Sequence, residues 1–311
     1  ASRTDVTTTG NLAPTPLTVE MGSSGTIYVA YGSKELNSTY YNVAYRNSTN
    51  WGVRTDVTNI WGTDTRFPAA VVDASGTVHI VYESKEYNPT YYNLAYRNSL
   101  NWSSRVDLTT TTSSDINFLG RGIVVDSSGV VRVVYSSREY SALGNNLAYR
   151  SSSNWSTRTD ITTYTSNKSI SNLALTIDSS NILHLSYVSW EYNTTLNIAY
   201  RSSSDNWASR TDITTNTSGS SNTPSIAVAS SGAVHVAYYS REYNATYDNL
   251  AYRNSSNWGN RTDVTTCTQG WCATQPSLAL DSSGNAHIAY AAYETSTSSP
   301  NIFYRNSTNW A

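Results

Sequence analysis

The chain has 311 residues, 14% of them charged, and a formal net charge of −2. Such a balance excludes attraction to nucleic acid or acidic membranes through bulk charge, and no apolar run is long enough for a membrane-spanning helix. The length allows a large core, and 25 Tyr and 9 Trp at recurring positions exclude a disordered chain.

In chain order the first feature is a fragment, Ser2-Arg3-Thr4-Asp5-Val6-Thr7. Versions of it follow the first five tryptophans of a series: Trp51, Trp102, Trp155, Trp207, Trp258 and Trp310. The steps are 51, 53, 52, 51 and 52 residues, the period of an array of one supersecondary unit. The last copy stops at Trp310-Ala311, and its continuation stands at residues 2–8. That permutation suits a closed ring, in which the N-terminal strand completes the final unit and leaves no open sheet edge.

The second repeat serves as the template. Phe67–Asp73 is an apolar run entering from a proline and reads as a buried strand, A. Asp73–Gly76 is a turn, repeated at Asp126–Gly129 and Asp281–Gly284, with Asn in place of Gly at Asp178–Asn181. Thr77–Ser84, rich in β-branched and aromatic residues, is strand B. A polar loop, Lys85–Tyr91, leads to strand C at Tyr92–Arg97, and Trp102–Thr109 alternates as strand D. Six such units predict an all-β, six-bladed β-propeller of four-stranded blades. It forms a single domain, 1–311, with repeats near 12–62, 63–113, 114–166, 167–218, 219–268 and 269–311 plus 1–11.

Several residues recur in every unit. The tryptophan opening strand D reads as an anchor between neighbouring blades. Arg and Asp of the R-T-D stretch, such as Arg54 with Asp56 and Arg210 with Asp212, point the same way and read as a pair at the rim. The arginine closing strand C (Arg46, Arg97, Arg150, Arg201, Arg253, Arg305) is expected against the turn aspartate, as Arg97 with Asp73. The asparagine opening strand C, such as Asn93, is expected to hold the B–C loop. His79, His184, His235 and His287 share one position, which fits packing better than catalysis.

The B–C loop carries a further repeated group: Glu35, Glu86, Glu139, Glu191, Glu242 and Glu294, often followed by an aromatic, as Tyr87, Tyr140, Tyr192 and Tyr243. A carboxylate beside an aromatic plane suits a repeated sugar site, with acceptors for hydroxyls and a ring for the CH face. The alternative is a glutamate bound within the fold by a backbone N–H or an arginine. Symmetry is broken in the D–A loops, where Asp64, Arg66 and Asp115 are the titratable candidates for the asymmetric constellation that catalysis requires. No zinc, calcium or phosphate-loop spacing is present, so no metal or cofactor is expected.

Cys267 and Cys272 lie in one loop and read as a small-loop disulfide, with free thiols as the alternative. The absence of a leader before Ala1 fits a processed secreted chain. Possible N-glycosylation sites stand at Asn37, Asn47, Asn101, Asn154, Asn167, Asn193, Asn216, Asn244, Asn254, Asn260 and Asn306, although a chain so rich in Asn, Ser and Thr supplies nearly as many by chance.

The D-S-S-G-x-x-H-x-x-Y pattern, as at Asp281–Tyr290, resembles blades of secreted propellers with sialidase-type repeats. It departs from the sialidase Asp-box, S-x-D-x-G-x-x-W, which sits at another turn of the blade. Blade count, size and permuted ends resemble Aleuria-type fucose-binding lectins, which place Arg, Glu and aromatic residues between blades. Neither resemblance transfers residue by residue.

The expected function is therefore a secreted or cell-surface, non-enzymatic, multivalent binding protein, lectin-like, whose partners are glycans or cell-surface glycoconjugates. The alternative is a surface or filament subunit that associates with copies of itself through the propeller or its terminal strand. A glycan-processing hydrolase is the third reading.

Overall fold

Alternating β-branched and aromatic residues make strands, and strands make up this molecule. A computed structural model describes residues 6, 17–118, 122–165, 170–268, 273–292 and 301–310. Among them are 23 strands and one short 3-10 turn. The strands form six antiparallel sheets in chain order, the six blades of an all-β propeller fold. The chain divides into two compact units, residues 1–142 with 146–163, and residues 143–145 with 164–311.

The first unit holds three blades. The first is β1 (Thr18–Met21), β2 (Ile27–Ser33), β3 (Asn42–Asn47) and β4 (Thr55–Asp56). The second is β5 (Thr65–Val72), β6 (Val78–Ser84), β7 (Asn93–Asn98) and β8 (Val106–Asp107). The third is β9 (Ile123–Val125), β10 (Val131–Ser137), β11 (Asn146–Ser151) and β12 (Asn154–Asp160). Blades two and three share a core that includes Val81, Leu94, Tyr96, Phe118, Val133 and Tyr135. Every residue of β6 is buried, as expected for a strand covered on both faces.

The second unit holds β13 (Ile170–Ile177), β14 (Leu183–Ser189), β15 (Asn197–Ser202) and β16 (Thr211–Asp212); then β17 (Ser221–Val228), β18 (Val234–Ser240), β19 (Asn249–Asn254) and β20 (Thr262–Asp263). Three further strands, β21 (Thr274–Leu280), β22 (Ala286–Ala292) and β23 (Asn301–Asn306), form the last sheet. The expected completion of this blade by residues 2–8 lies outside the described residues apart from Val6.

The turn after strand A forms as its sequence dictates. Asp73 Oδ1 accepts from the backbone N–H of Ser75 and Thr77 at 2.9 and 2.8 Å. Gly76 closes the turn at φ 86°, where a side chain would be strained.

Two expectations need correction. Strand D is shorter than Trp102–Thr109 in the second blade: Asn101 Oδ1 accepts from the Ser103 N–H, and the Ser104 N–H donates to the Asn101 carbonyl, so 101–104 is a turn. Strand A is not a plain strand. The β5–β6 register shifts between Arg66 and Ala69, and the intervening Phe67 has φ 50°. Equivalent bulges occur at Asn172, Thr223 and Gln275, with φ of 42°, 41° and 50°.

Candidate functional site

Blade anchors come first, because they fix where the loops stand. Trp102 packs on Tyr45 of the preceding blade, with ring centroids 5.6 Å apart. Trp155 packs likewise on Tyr96 at 5.1 Å, Trp258 on Tyr200 at 5.7 Å and Trp310 on Tyr252 at 5.5 Å. These four tryptophans are inter-blade anchors, as expected.

The repeated glutamates are tied into the fold. Glu86 accepts from the hydroxyls of Tyr82 and Ser84 at 3.1 and 2.9 Å, and lies 3.3 Å from Arg97 and 3.2 Å from Arg105. Arg105 in turn holds Asp107 at 2.8 Å. Glu35 meets Tyr31, Arg46 and Arg54 in the same way. Glu139 meets Tyr135, Ser137, Arg150 and Arg158. Glu191 meets Tyr187, Ser189, Arg201 and Arg210, and Glu242 meets Tyr238, Ser240 and Arg253. Glu294 lies outside the described residues. Burial pushes the Tyr82, Tyr135 and Tyr238 hydroxyls well above the ordinary phenol range, so they stay neutral donors to these carboxylates.

A signal for this network was present in the sequence. Tyr82, Ser84 and Glu86 are two residues apart, and so are their counterparts in four other blades, so strand alternation places all three on one face. The strand-C arginine completes the set, with Arg97 donating from Nε to Tyr82 Oη at 2.8 Å and also bonding the Trp102 carbonyl.

Arg97 therefore does not meet Asp73. It pairs in register with Ile80 and shares the Tyr82 face, whereas Asp73 serves the opposite face. There His79 Nε2 lies 3.1 Å from Asp73 Oδ2 and His79 Nδ1 lies 2.7 Å from Tyr96 Oη. His184 repeats this with Asp178 and Tyr200. Arg132 stands in for the imidazole in the third blade, bridging Asp126 and Tyr149. A unit that accepts either His or Arg serves packing, not proton transfer. Asn93 ties more than the B–C loop: its Nδ2 donates to the Tyr91 carbonyl, and its Oδ1 accepts from the Thr111 N–H at 2.6 Å in the D–A loop.

With the glutamates engaged, the rings beside them remain outside. Tyr87, Tyr140, Tyr192 and Tyr243 are 45%, 42%, 47% and 43% exposed. Three of their loops are braced by asparagine turns, with Asn88, Asn193 and Asn244 accepting from the N–H of Thr90, Thr195 and Thr246, each at 2.8 Å, whereas Ser141 follows Tyr140. Trp61, in a D–A loop, is more exposed still, and its indole N–H donates to Asn59.

One asymmetric cluster stands on the second blade. Arg66 on β5 pairs in register with Glu83 on β6, and its Nε donates to Glu83 Oε2 at 2.7 Å. Glu83 is fully buried, and its Oε1 accepts from the Phe118 N–H at 2.8 Å. Burial raises the Glu83 carboxyl, opposed by Arg66 and the Phe118 N–H. The Arg66 guanidinium carbon lies 3.6 Å from the centre of the Tyr92 ring, and Lys85 Nζ lies 4.7 Å from it. Asp115 Oδ1 accepts from the Tyr92 N–H at 2.7 Å, and Asp64 Oδ1 from the Tyr41 N–H at 2.8 Å. The structure thus brings Asp64, Arg66 and Asp115 together and adds Glu83, Lys85 and Tyr92. The clue to Glu83 was its uniqueness, since other blades place Gly32, Ser136, Val188, Tyr239 and Ala291 at its position.

Cys267 is half-buried, and Cys272 lies outside the described residues. Of the sequon asparagines, Asn101, Asn154 and Asn260 are exposed, and Asn47, Asn254 and Asn306 half-buried. Asn37 is buried, with its amide given to the Ile60 carbonyl, and Asn193 gives its amide to the Asn216 carbonyl. Asn216 and Asn244 are half-buried, and Asn167 lies outside the described residues. Among the described residues no group of three or more His, Cys, Asp or Glu is arranged to hold a metal, and no helix is long and apolar enough to cross a membrane.

No family model matches the chain, and no curated protein matches its sequence. Solved structures do. A protein of unknown function from Dyadobacter fermentans superposes with a TM-score of 0.56 at 9% identity, over 93% of each chain. The α-L-arabinofuranosidase of Fusarium graminearum gives 0.52 at 10%, over 96% of this chain and 95% of that one. A Hadza microbial sialidase gives 0.51 at 10%, over 94% of this chain and 65% of that one. At such identities the likeness is one of fold, and the fold is that of the six-bladed propellers.

Proposed function

We propose that this chain is a carbohydrate-binding propeller that presents several equivalent weak sites and acts outside the cell. The observation that carries the reading is the fourfold exposed tyrosine of the B–C loop, held out in three of the four blades by an asparagine-braced turn and in all four beside a carboxylate network that keeps the loop rigid. A rigid aromatic face offers a platform for the CH face of a sugar at little entropic cost. Four such platforms on one chain gain avidity on a surface that repeats the same sugar. The repeated glutamates act here as supports for the tyrosines. The arabinofuranosidase and sialidase that share the fold show that a propeller can frame a sugar-processing site. In this chain Glu83 is occupied on both oxygens, by Arg66 and a backbone N–H, and Asp64 and Asp115 each hold a loop N–H with one oxygen, which suits holding better than proton transfer.

The test is a glycan array probed with the intact chain and with Tyr87→Ala, Tyr140→Ala, Tyr192→Ala and Tyr243→Ala, singly and combined. Binding competed by one class of soluble sugar, and falling stepwise as tyrosines are removed, is the expected result. A blank array with folded protein sinks the reading.

Self-association is the second reading. It draws on β1, where Val19 and Met21 alternate onto one face and are exposed. Size-exclusion chromatography at rising concentration tests it, and a strictly monomeric chain ends it.

A further inference from the structure

We infer that the Arg66 cluster is a distinct site for a carboxylated sugar residue, with Arg66 taking the carboxylate and Asp64 and Asp115 taking hydroxyls. This deepens the carbohydrate reading and rests on it.

The fold does not require the cluster. Five other blades place a small, apolar or neutral residue where the second has Glu83. A fully buried carboxylate costs several kcal/mol unless it is paired and hydrogen-bonded. Glu83 is satisfied in both ways, by Arg66 and by the Phe118 N–H. The pair fixes the guanidinium. Glu83 takes Nε and the Tyr92 ring lies under the plane, while the side chain stays 33% exposed. Among the described residues no acceptor takes the two terminal nitrogens of Arg66. An arginine gripped at Nε, stacked on a ring and open at its terminal fork is preorganised for a carboxylate in bidentate contact.

The neighbouring charges narrow the ligand. Lys85 Nζ stands against the same Tyr92 ring and adds a second cation. Asp64 and Asp115 each have one oxygen bound to a backbone N–H, and the other has no partner among the described residues. Two such carboxylates repel a bare anion such as phosphate or sulfate. They suit a ligand that carries hydroxyl donors beside its own carboxylate, as a uronic or sialic acid residue does. The bulge at Phe67, φ 50°, turns the backbone beside Arg66, and the Phe67 ring lies 5.1 Å from the guanidinium.

The experiment is titration calorimetry of the intact chain with short oligosaccharides of galacturonic, glucuronic and sialic acid, each against its methyl ester. Esterification removes the charge and keeps the hydroxyls. One acid bound at least about ten-fold tighter than its ester is expected, with the preference weakening as salt rises. Arg66→Lys keeps the charge but loses the fork, and Arg66→Ala loses both; each abolishes the preference. Equal binding of every acid and ester, or a preference that survives Arg66→Lys, overturns the inference. Tyrosine-dependent binding of neutral glycans with no acid preference defeats this inference alone. No binding of any glycan defeats the carbohydrate reading as well.

Discussion

Glu191 accepts a hydrogen bond from the hydroxyl of Tyr187, four residues earlier on the same strand face, at 2.8 Å. Two arginines close on the same carboxylate, Arg201 of β15 at 3.6 Å and Arg210, just before β16, at 3.5 Å, and its side chain is 2% exposed. Burial raises the Glu191 carboxyl, and Arg210 and Arg201 oppose that. Removing the charge leaves Arg201 with the Tyr187 hydroxyl and the Trp207 carbonyl, whereas Arg210 keeps Asp212 at 2.7 Å. With burial already disfavouring the charge, what Glu191→Gln loses is the strength of the hydrogen bonds from Tyr187 and Ser189, and it should cost about 1 kcal/mol, read as a lower urea midpoint. An unchanged midpoint would return Glu191 to the list of groups free to meet a ligand.

The inter-blade stack gives a second prediction. Trp155 lies 5.1 Å from Tyr96 and packs against the core shared by the second and third blades. Trp155→Ala should cost about 2–4 kcal/mol, and Trp155→Phe, which keeps a ring on Tyr96, clearly less. Thermal melts of the two variants check the order; equal losses would mean that the ring contact itself contributes little.

These two cases show what the sequence could and could not reveal. The tryptophan period announced the blades, because each unit must bury its face against the next and a repeated anchor follows. The glutamate network was legible only in part. The two-residue spacing from Tyr82 to Ser84 to Glu86 puts the three on one face, but the arginines that complete it, Arg97 on β7 and Arg105 just before β8, are brought in by a register that no local pattern states. The same lack hides the partner of Arg97, which the sequence leaves equally near Asp73, since one step of alternation decides which face of the sheet a side chain serves. Strand D looked continuous until the Asn101 side chain bonded the Ser103 N–H and wound 101–104 into a turn. Asp64, Arg66 and Asp115 stood out as breaks in the repeat, whereas Glu83 was hidden inside a strand that otherwise followed it.

Glu20 predicts a pH dependence. It sits on β1 opposite Tyr28, half-buried, and burial raises its carboxyl from 4.5 to about 7. Below pH 4.5 it is neutral whether the chain is folded or unfolded, and the favourable contribution is complete. Between 4.5 and 7 the unfolded chain ionises first, so this contribution falls as pH rises and is lost above 7. Discounted for partial exposure, the loss is about 2 kcal/mol. Glu20→Gln should therefore stabilise the chain at pH 8 and leave it nearly unchanged at pH 4. Denaturant titrations at the two values decide it, and a gain of equal size at both would assign the effect to packing.

The bulges of strand A give the last prediction, through a contrast between two positions. Phe67 and Gln275 each precede a proline and each has φ 50°, a conformation that costs a residue with a side chain about 1 kcal/mol. Gln275 is exposed, so Gln275→Gly removes strain and little else. After the greater entropy of glycine in the unfolded chain is set against it, a gain of about 0.5 kcal/mol should remain. Phe67→Gly relieves the same strain but removes the ring 5.1 Å from the Arg66 guanidinium, and with it one wall of the asymmetric cluster. It should lower both stability and any preference for a carboxylated ligand. Melting and calorimetry of the two variants read both effects. If Phe67→Gly is as benign as Gln275→Gly in both, the bulge shapes the strand alone and Phe67 takes no part in holding Arg66.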